Sequence, residues 1–129
     1  MQADRPPRVL VVDDEKHIRG MLRDLLTTWG YQADVAASSS EALTLFQQGG
    51  YDLVLTDLLM PGGSGLELVQ HVRDADQKVG VIVFTGSGAD LEVDSLRFGF
   101  TPLRKPLQLG RLQAAVKDLV SAGRRAARA

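Results

Sequence analysis

At 129 residues, 44% hydrophobic and 24% charged, the chain is sized and composed for one globular domain with a single core. A formal net charge of −1 gives no basis for general nucleic-acid or membrane-surface binding, and the absence of cysteine excludes disulfides, thiol catalysis and thiolate metal sites. No apolar run approaches the ~18 residues of a membrane span, and residues 1–7 (MQADRPP) lack the apolar core of a signal peptide, so a cytoplasmic location is expected.

Arg8 to Val12 reads as a buried strand running straight into Asp13-Asp14-Glu15. Ile18, Met21, Leu22, Leu25, Leu26 and Trp29 then recur at helical spacing, and Gly30 ends that first helix. Tyr31 to Ala36 is a shorter, more polar strand. Ser38 and Glu41 form a capping box for a second helix carrying Ala42, Leu45 and Phe46, stopped by Gly49-Gly50. Leu53-Val54-Leu55 is a short apolar run ending at Asp57, with Pro61 and three glycines after it. A strand apolar on both faces suits a parallel sheet covered by helices on each side.

Ser64 and Glu67 form a second capping box, opening a third helix with Leu66, Val69 and Val72 inward. This favours a capped loop over a phosphate-cradling one at Gly62 to Gly65, which matches neither glycine-rich phosphate motif. Val79 to Phe84 is the next buried strand, turning at Thr85-Gly86-Ser87-Gly88. A weakly patterned fourth helix follows, roughly Ala89 to Phe98, with Leu91, Val93 and Leu96 as its apolar members. Thr101 to Arg104 is a short last strand. Lys105-Pro106 leads into a fifth helix carrying Leu109, Leu112, Val116, Leu119 and Val120, with proline suited to a first helical position. Residues 7–120 form the expected domain, and residues 121–129 (SAGRRAARA) a basic alanine-rich tail or linker stub.

Strands alternating with helices imply right-handed crossovers and a doubly wound α/β sheet with helices on both faces. For five strands the flavodoxin-like order 2-1-3-4-5 is expected, with its switch point between strands 1 and 3. Those strands end in Asp13-Asp14 and Asp57, so three carboxylates meet at the sheet's carboxyl edge. Clustered acids raise each other's pKa unless a cation neutralises them. Oxygen ligands without nearby histidine or cysteine favour Mg²⁺, Mn²⁺ or Ca²⁺ over zinc. The later strands add the Thr85 hydroxyl and the Lys105 ammonium at the same edge. Acids, a metal, a hydroxyl and a lysine suit an incoming phosphoryl group, with Asp57 as nucleophile.

These pieces resemble the receiver domains of two-component response regulators. VLVVDDE is similar to the family's acidic pair, LVLTDLLMPGGSGLEL to its phosphoacceptor segment, VIVFTG to its switch threonine, and LRKPL to its lysine-proline. The resemblance implies that Asp57 takes phosphate from a histidine kinase or phosphotransfer protein. It implies that Asp13, Asp14 and Asp57, with the Leu59 backbone carbonyl, hold Mg²⁺ while Lys105 and Thr85 hold the phosphoryl oxygens. It also implies a cis Lys105–Pro106 bond, as in many relatives, and a water path lined by Leu59 and Ser87. The output would leave through the face of helix 4, strand 5 and helix 5 to a downstream protein or output domain, without direct nucleic-acid or membrane contact. One departure stands out: the segment Gly99 to Pro106 is one residue short, Phe100 replaces a small residue, and Pro102 stands where an aromatic is usual.

Other readings are weaker. Asp13 and Asp14 as mere caps of helix 1 leave Asp57 and Lys105 unexplained. His17 and His71 sit on helices without partnered motifs and read as solvated. A haloacid-type hydrolase resembles D-x-D, but Leu59 occupies the second place. A degenerate receiver serving as a phosphorylation-independent docking module is the alternative function, set against the complete Asp13, Asp14, Asp57, Thr85 and Lys105 set.

Overall fold

The computed structural model describes residues 5–60, 63–86 and 91–128. Five strands form one parallel sheet: β1 (Arg8–Val12), β2 (Gln32–Ala36), β3 (Leu53–Asp57), β6 (Gly80–Thr85) and β7 (Thr101–Arg104). Two further strands of two residues each, β4 (Leu59–Met60) and β5 (Gly63–Ser64), make a small antiparallel ribbon after β3. The main sheet runs β2-β1-β3-β6-β7, which is the expected 2-1-3-4-5 once the ribbon is set aside. Five helices connect it: α1 (Lys16–Thr28), α2 (Ser39–Gln47), α3 (Gly65–Ala75), α4 (Glu92–Phe98) and α5 (Leu109–Arg128).

Strand alternation divides the core. Leu10, Val12, Val54, Val81 and Val83 point to one face and meet Ala42 and Phe46 of α2 and Leu68, Val69 and Val72 of α3. Val9, Val11, Leu53, Leu55, Ile82 and Phe84 point to the other, against Leu22 and Leu26 of α1 and Leu112, Val116 and Val120 of α5. Each fully buried side chain of this size contributes about 1.5–3 kcal/mol before ordering costs. Both expected caps form: Ser38 Oγ accepts from the Glu41 amide at 3.1 Å, and Ser64 Oγ from the Glu67 amide at 3.2 Å.

Several helix expectations need correction. Pro106 does not start α5: the Lys105–Pro106 bond is cis, and the first α5 turn closes from Leu112 N to Gln108 O. α5 continues through most of the basic, alanine-rich segment to Arg128. Met21, Val93, Leu96 and Leu109, read as apolar members of their helices, are exposed by 41%, 73%, 81% and 52%. Leu68, which adjoins Leu66 and Val69, is instead fully buried. Ala89 and Asp90, the expected start of helix 4, lie outside the described residues, as do Ser87, Gly88 and the Pro61-Gly62 corner.

Polar clamps fix the loops. At the amino edge, Arg8 pairs with Asp34 at 2.9 Å and lies over the Tyr51 ring, 4.6 Å from its centroid. The Tyr51 hydroxyl donates to Asp34 at 2.7 Å; burial, with help from Asp34, pushes the Tyr51 pKa up to about 12. Near the other helices, half-buried Arg73 of α3 gathers four carbonyls. Its Nε donates to Phe98 O at 2.8 Å, its Nη2 to Gly99 O at 2.6 Å, and its Nη1 to Val79 O at 2.6 Å and Asp76 O at 3.3 Å. The guanidinium therefore ties the end of α4 to α3 and to the approach of β6. Replacing Arg73 by Met keeps much of the stem's packing but strands these acceptors. Arg73→Met is expected to lower stability in a urea titration by roughly 2–3 kcal/mol, since a charged donor is lost at several acceptors. A loss under about 0.5 kcal/mol, the level of an ordinary surface change, would show that the clamp does not hold α4.

Candidate functional site

Register explains why the acids meet. Val12 of β1 is the partner of Thr56 of β3, so the next residues, Asp13 and Asp57, emerge side by side at the carboxyl edge. Asp57 is itself the partner of Phe84 in β6, which places Thr85 one step beyond. Thr85 is the partner of Arg104 in β7, and Lys105 is one step beyond that. Four neighbouring parallel strands thus end in Asp13, Asp57, Thr85 and Lys105. Ligand sites of open α/β sheets lie at this edge.

Carboxylate oxygens of Asp13, Asp14 and Asp57 lie within 4.8 Å of one another. Asp13 is buried, Asp57 is partly buried and Asp14 is exposed. Lys105 Nζ reaches Asp57 Oδ2 at 3.1 Å. Its stem passes Gly86, where an added Cβ would stand 3.6 Å from Lys105 Cδ. Thr85 is buried to 3% exposure, and its carbonyl accepts from the Lys105 amide at 2.8 Å, joining the two residues through the backbone. The cluster holds more acids than bases, and its one lysine leaves negative charge to be balanced.

Asp13 does not cap α1. The N-cap is Glu15, with no side-chain hydrogen bond to the helix amides. Asp13 Oδ1 instead accepts from the Glu15 amide at 2.8 Å in a tight turn. Its other oxygen, Oδ2, is buried with no hydrogen-bond partner among the described residues. Burial pushes the Asp13 carboxyl above its ordinary pKa; the Asp57 and Asp14 charges add to this, while the Glu15 amide and Lys105 oppose it. A buried, unpartnered carboxylate oxygen is costly unless something positive meets it. With only oxygen donors in the cluster, a hard divalent cation of the Mg²⁺ kind fits the residues present.

The chain beyond Asp57 is packed closely. The Leu58 amide donates to Phe84 O at 2.9 Å, and the Gly65 amide to Leu58 O at 2.7 Å. An added Cβ at Gly65 would collide with the Asp57 carbonyl oxygen, so α3 approaches the acid through a residue without a side chain. Leu59 follows in the ribbon, opposite Ser64, with its side chain 67% exposed. His17 and His71 are exposed.

Sequence reasoning missed one contributor and gave no role to a second, which stands within the phosphoacceptor-like segment. Arg19 of α1 donates from Nη1 to the Asp13 carbonyl at 2.8 Å. Gly65 admits the close approach under Asp57. A glycine directly after an N-cap serine was a visible signal for the second; nothing in the spacing of Arg19 distinguished it from a surface arginine.

A family model described as the response regulator receiver domain matches residues 9–117. Among curated proteins, the chain is 37% identical to the response regulator protein PilR of Pseudomonas aeruginosa over 111 residues, covering 84% of this chain and 25% of that one. It is 33% identical to sporulation initiation phosphotransferase F of Bacillus subtilis over 112 residues, covering 85% and 90%. It spans only 50% of the transcriptional regulatory protein DltR of Streptococcus agalactiae, at 34% identity over 85% of this chain. Among solved structures, a CheY-like receiver domain protein of Methanospirillum hungatei superposes with a TM-score of 0.87 at 27% identity, covering 94% of this chain and 98% of that one. The response regulator protein TrrA of Thermotoga maritima, solved in complex with Mg(2+)-BeF, gives a TM-score of 0.79 at 36% identity, covering 88% and 98%. The profile match spans most of the chain, the relatives agree with it, and the chain belongs to the response regulator receiver domain family.

Proposed function

We propose that this receiver domain accepts a phosphoryl group on Asp57 from the phosphohistidine of a kinase or phosphotransfer protein. The observation that carries the reading is the convergence of three carboxylates, a buried unpartnered oxygen on Asp13, and Lys105 on Asp57. Asp13, Asp14 and Asp57 would hold Mg²⁺, with the Leu59 backbone carbonyl as a further oxygen. Bound there, the metal supplies charge neutralisation for an approaching phosphate. The Asp57 carboxylate attacks phosphorus, the bond to the donor nitrogen breaks, and the imidazole leaves with the electron pair. Lys105 exchanges its contact with Asp57 for a phosphoryl oxygen, and the Thr85 hydroxyl takes another. Water later attacks phosphorus and restores the carboxylate. The absence of any helix long and apolar enough to cross a membrane among the described residues is compatible with a cytoplasmic setting.

Signal output follows from the same edge. The usual strand aromatic is replaced by exposed Pro102, which cannot swing. Phe100 is buried to 7% exposure and Phe98 packs against the same core. α4 has seven residues, none of them buried, and its N-cap makes no side-chain hydrogen bond. We infer that Thr85 and the phosphoryl group act directly on the α4–β7 segment, displacing Phe98, Phe100 or the helix itself. The partner docks on the face of α4, β7 and α5, where Val93, Leu96 and Leu109 are exposed.

Intact-mass measurement with acetyl phosphate and Mg²⁺ is expected to show one phosphoryl group, lost in Asp57→Asn and without metal. Lys105→Ala is expected to slow labelling roughly a hundredfold, the loss typical of one preorganised donor, while metal affinity persists. Undiminished labelling of Asp57→Asn would falsify the assignment of the acceptor.

Phosphoryl lifetime depends on Leu59, whose side chain offers no hydrogen bond to orient water. Leu59→Asn or Leu59→Glu is expected to shorten the half-life about tenfold, the equivalent of one positioned hydrogen bond. Gln47→Ala, an exposed change on α2, serves as control; equal effects from both sites count against the water-path role.

With beryllofluoride and Mg²⁺, amide NMR shifts are expected across residues 91–104. Changes restricted to the loops around Asp57 would mean that the signal leaves by another face.

A further inference from the structure

We propose that Arg19 is a positioning residue for the metal site, fixing the Asp13–Asp14 turn so that Asp13 Oδ2 is presented to a divalent cation. The proposal rests on the reading of the acidic cluster as a Mg²⁺ site. It comes from an inventory of the polar atoms of Asp13. The amide donates to Ala36 O, at the end of β2, at 3.1 Å. Oδ1 accepts from the Glu15 amide at 2.8 Å. The carbonyl accepts from Arg19 Nη1 at 2.8 Å. Oδ2 alone is left, buried and unpartnered. Each of the other three atoms is held by a different part of the chain: a neighbouring strand, the helix N-cap, and a side chain of α1. A carboxylate held in this way loses little freedom when it meets a cation, because its rotamer and backbone are already set.

Arg19 acts at the least expected of these points. Its side chain returns over its own helix from six residues downstream to the loop that carries both acids. It lies partly buried, so its donated hydrogen bond is shielded from competing water. It offers no ligand atom and carries a positive charge. By charge alone, Arg19 would weaken cation binding; by orientation, it strengthens it. The two effects have opposite signs, and a substitution tells them apart. Outer partners that orient metal ligands typically matter ~10–100-fold in affinity.

The experiment is a calorimetric Mg²⁺ titration of the unphosphorylated protein, with a metal-free urea midpoint measured for each variant. Arg19→Met, which keeps the stem but removes donor and charge, is expected to weaken Mg²⁺ binding about tenfold. Arg19→Lys, which keeps a donor and the charge, is expected to stay within roughly threefold of the unaltered chain. Affinity that is unchanged or tighter in Arg19→Met overturns the proposal, as does Arg19→Lys binding as weakly as Arg19→Met. If Arg19→Met does not fold, the guanidinium NMR signal of the unaltered chain decides: it is expected to shift and to exchange more slowly as Mg²⁺ is added. A signal indifferent to the metal overturns the proposal. Absence of Mg²⁺ binding by the unaltered chain, with Asp13→Asn as reference, would remove the underlying metal reading instead.

Discussion

The structure is organised around a crowding of negative charge that the sheet cannot avoid. Parallel strands in the order β2-β1-β3-β6-β7 deliver their carboxyl ends to one edge, where β1 runs directly into an aspartate and β3 ends in one. The acids are adjacent because Val12 and Thr56 are in register, not because a flexible loop brings them together. Burial of Asp13 makes the crowding worse, since it removes the water that would otherwise spread the charge. Lys105 offsets part of it at 3.1 Å from Asp57, and Asp13 Oδ2 keeps an unmet demand. In the proposed reading the site is completed from outside, by a cation and by a group whose oxygens compete for the lysine.

The same edge connects to α4, a helix with no buried residue. Thr85 and Lys105 are bonded through their backbones, which joins the end of β6 to the end of β7. α4 lies just before β7 and presents Val93 and Leu96 outward instead of burying them. Arg73 holds its far end through Phe98 O and Gly99 O. α4 is thus a short helix held at its carboxyl end, with no side-chain hydrogen bond from its N-cap residue. Replacement of the usual strand aromatic by Pro102 then does not remove the switch, in the proposed reading, but shifts the moving part to the segment around Phe98 and Phe100.

Much of this was legible in the sequence because the informative residues sit at strand ends. Apolar runs of three or four residues, each followed by a turn, mark β1, β3 and β6, and the last residue or the next one carries the chemistry. Ser38 and Ser64 declared their helices through a glutamate three residues on. Side-chain contacts made across the fold left no such trace. Arg19 and Arg73 look like any helical arginine until the loop or helix end they reach is in place. The outward turn of Val93 and Leu96 was equally hidden, since periodicity names an apolar stripe without saying whether anything covers it. Pro106 misled for a related reason: a proline before an amphipathic run resembles a helix start, whereas here it occupies the turn and α5 begins at Leu109.

The strength of the Lys105–Asp57 pair also bears on how such a site works. The lysine side chain is 33% exposed and the aspartate 13%. A pair of that exposure contributes about 1 kcal/mol or less, far below the ~3–5 kcal/mol cost of stripping one partner from a fully buried pair. The lysine is therefore held near the nucleophile without being locked to it. In the proposed reaction an arriving phosphoryl oxygen, carrying more charge than a single carboxylate oxygen, takes the ammonium at little cost, and its departure returns the lysine to Asp57. Asp13 is the opposite case, fixed at three polar atoms and left open at the fourth. In the proposed reaction, the mobile cation follows the transferred group while the rigid carboxylate stays with the metal, and the two behaviours trace to one difference: how much of each side chain the fold has already committed.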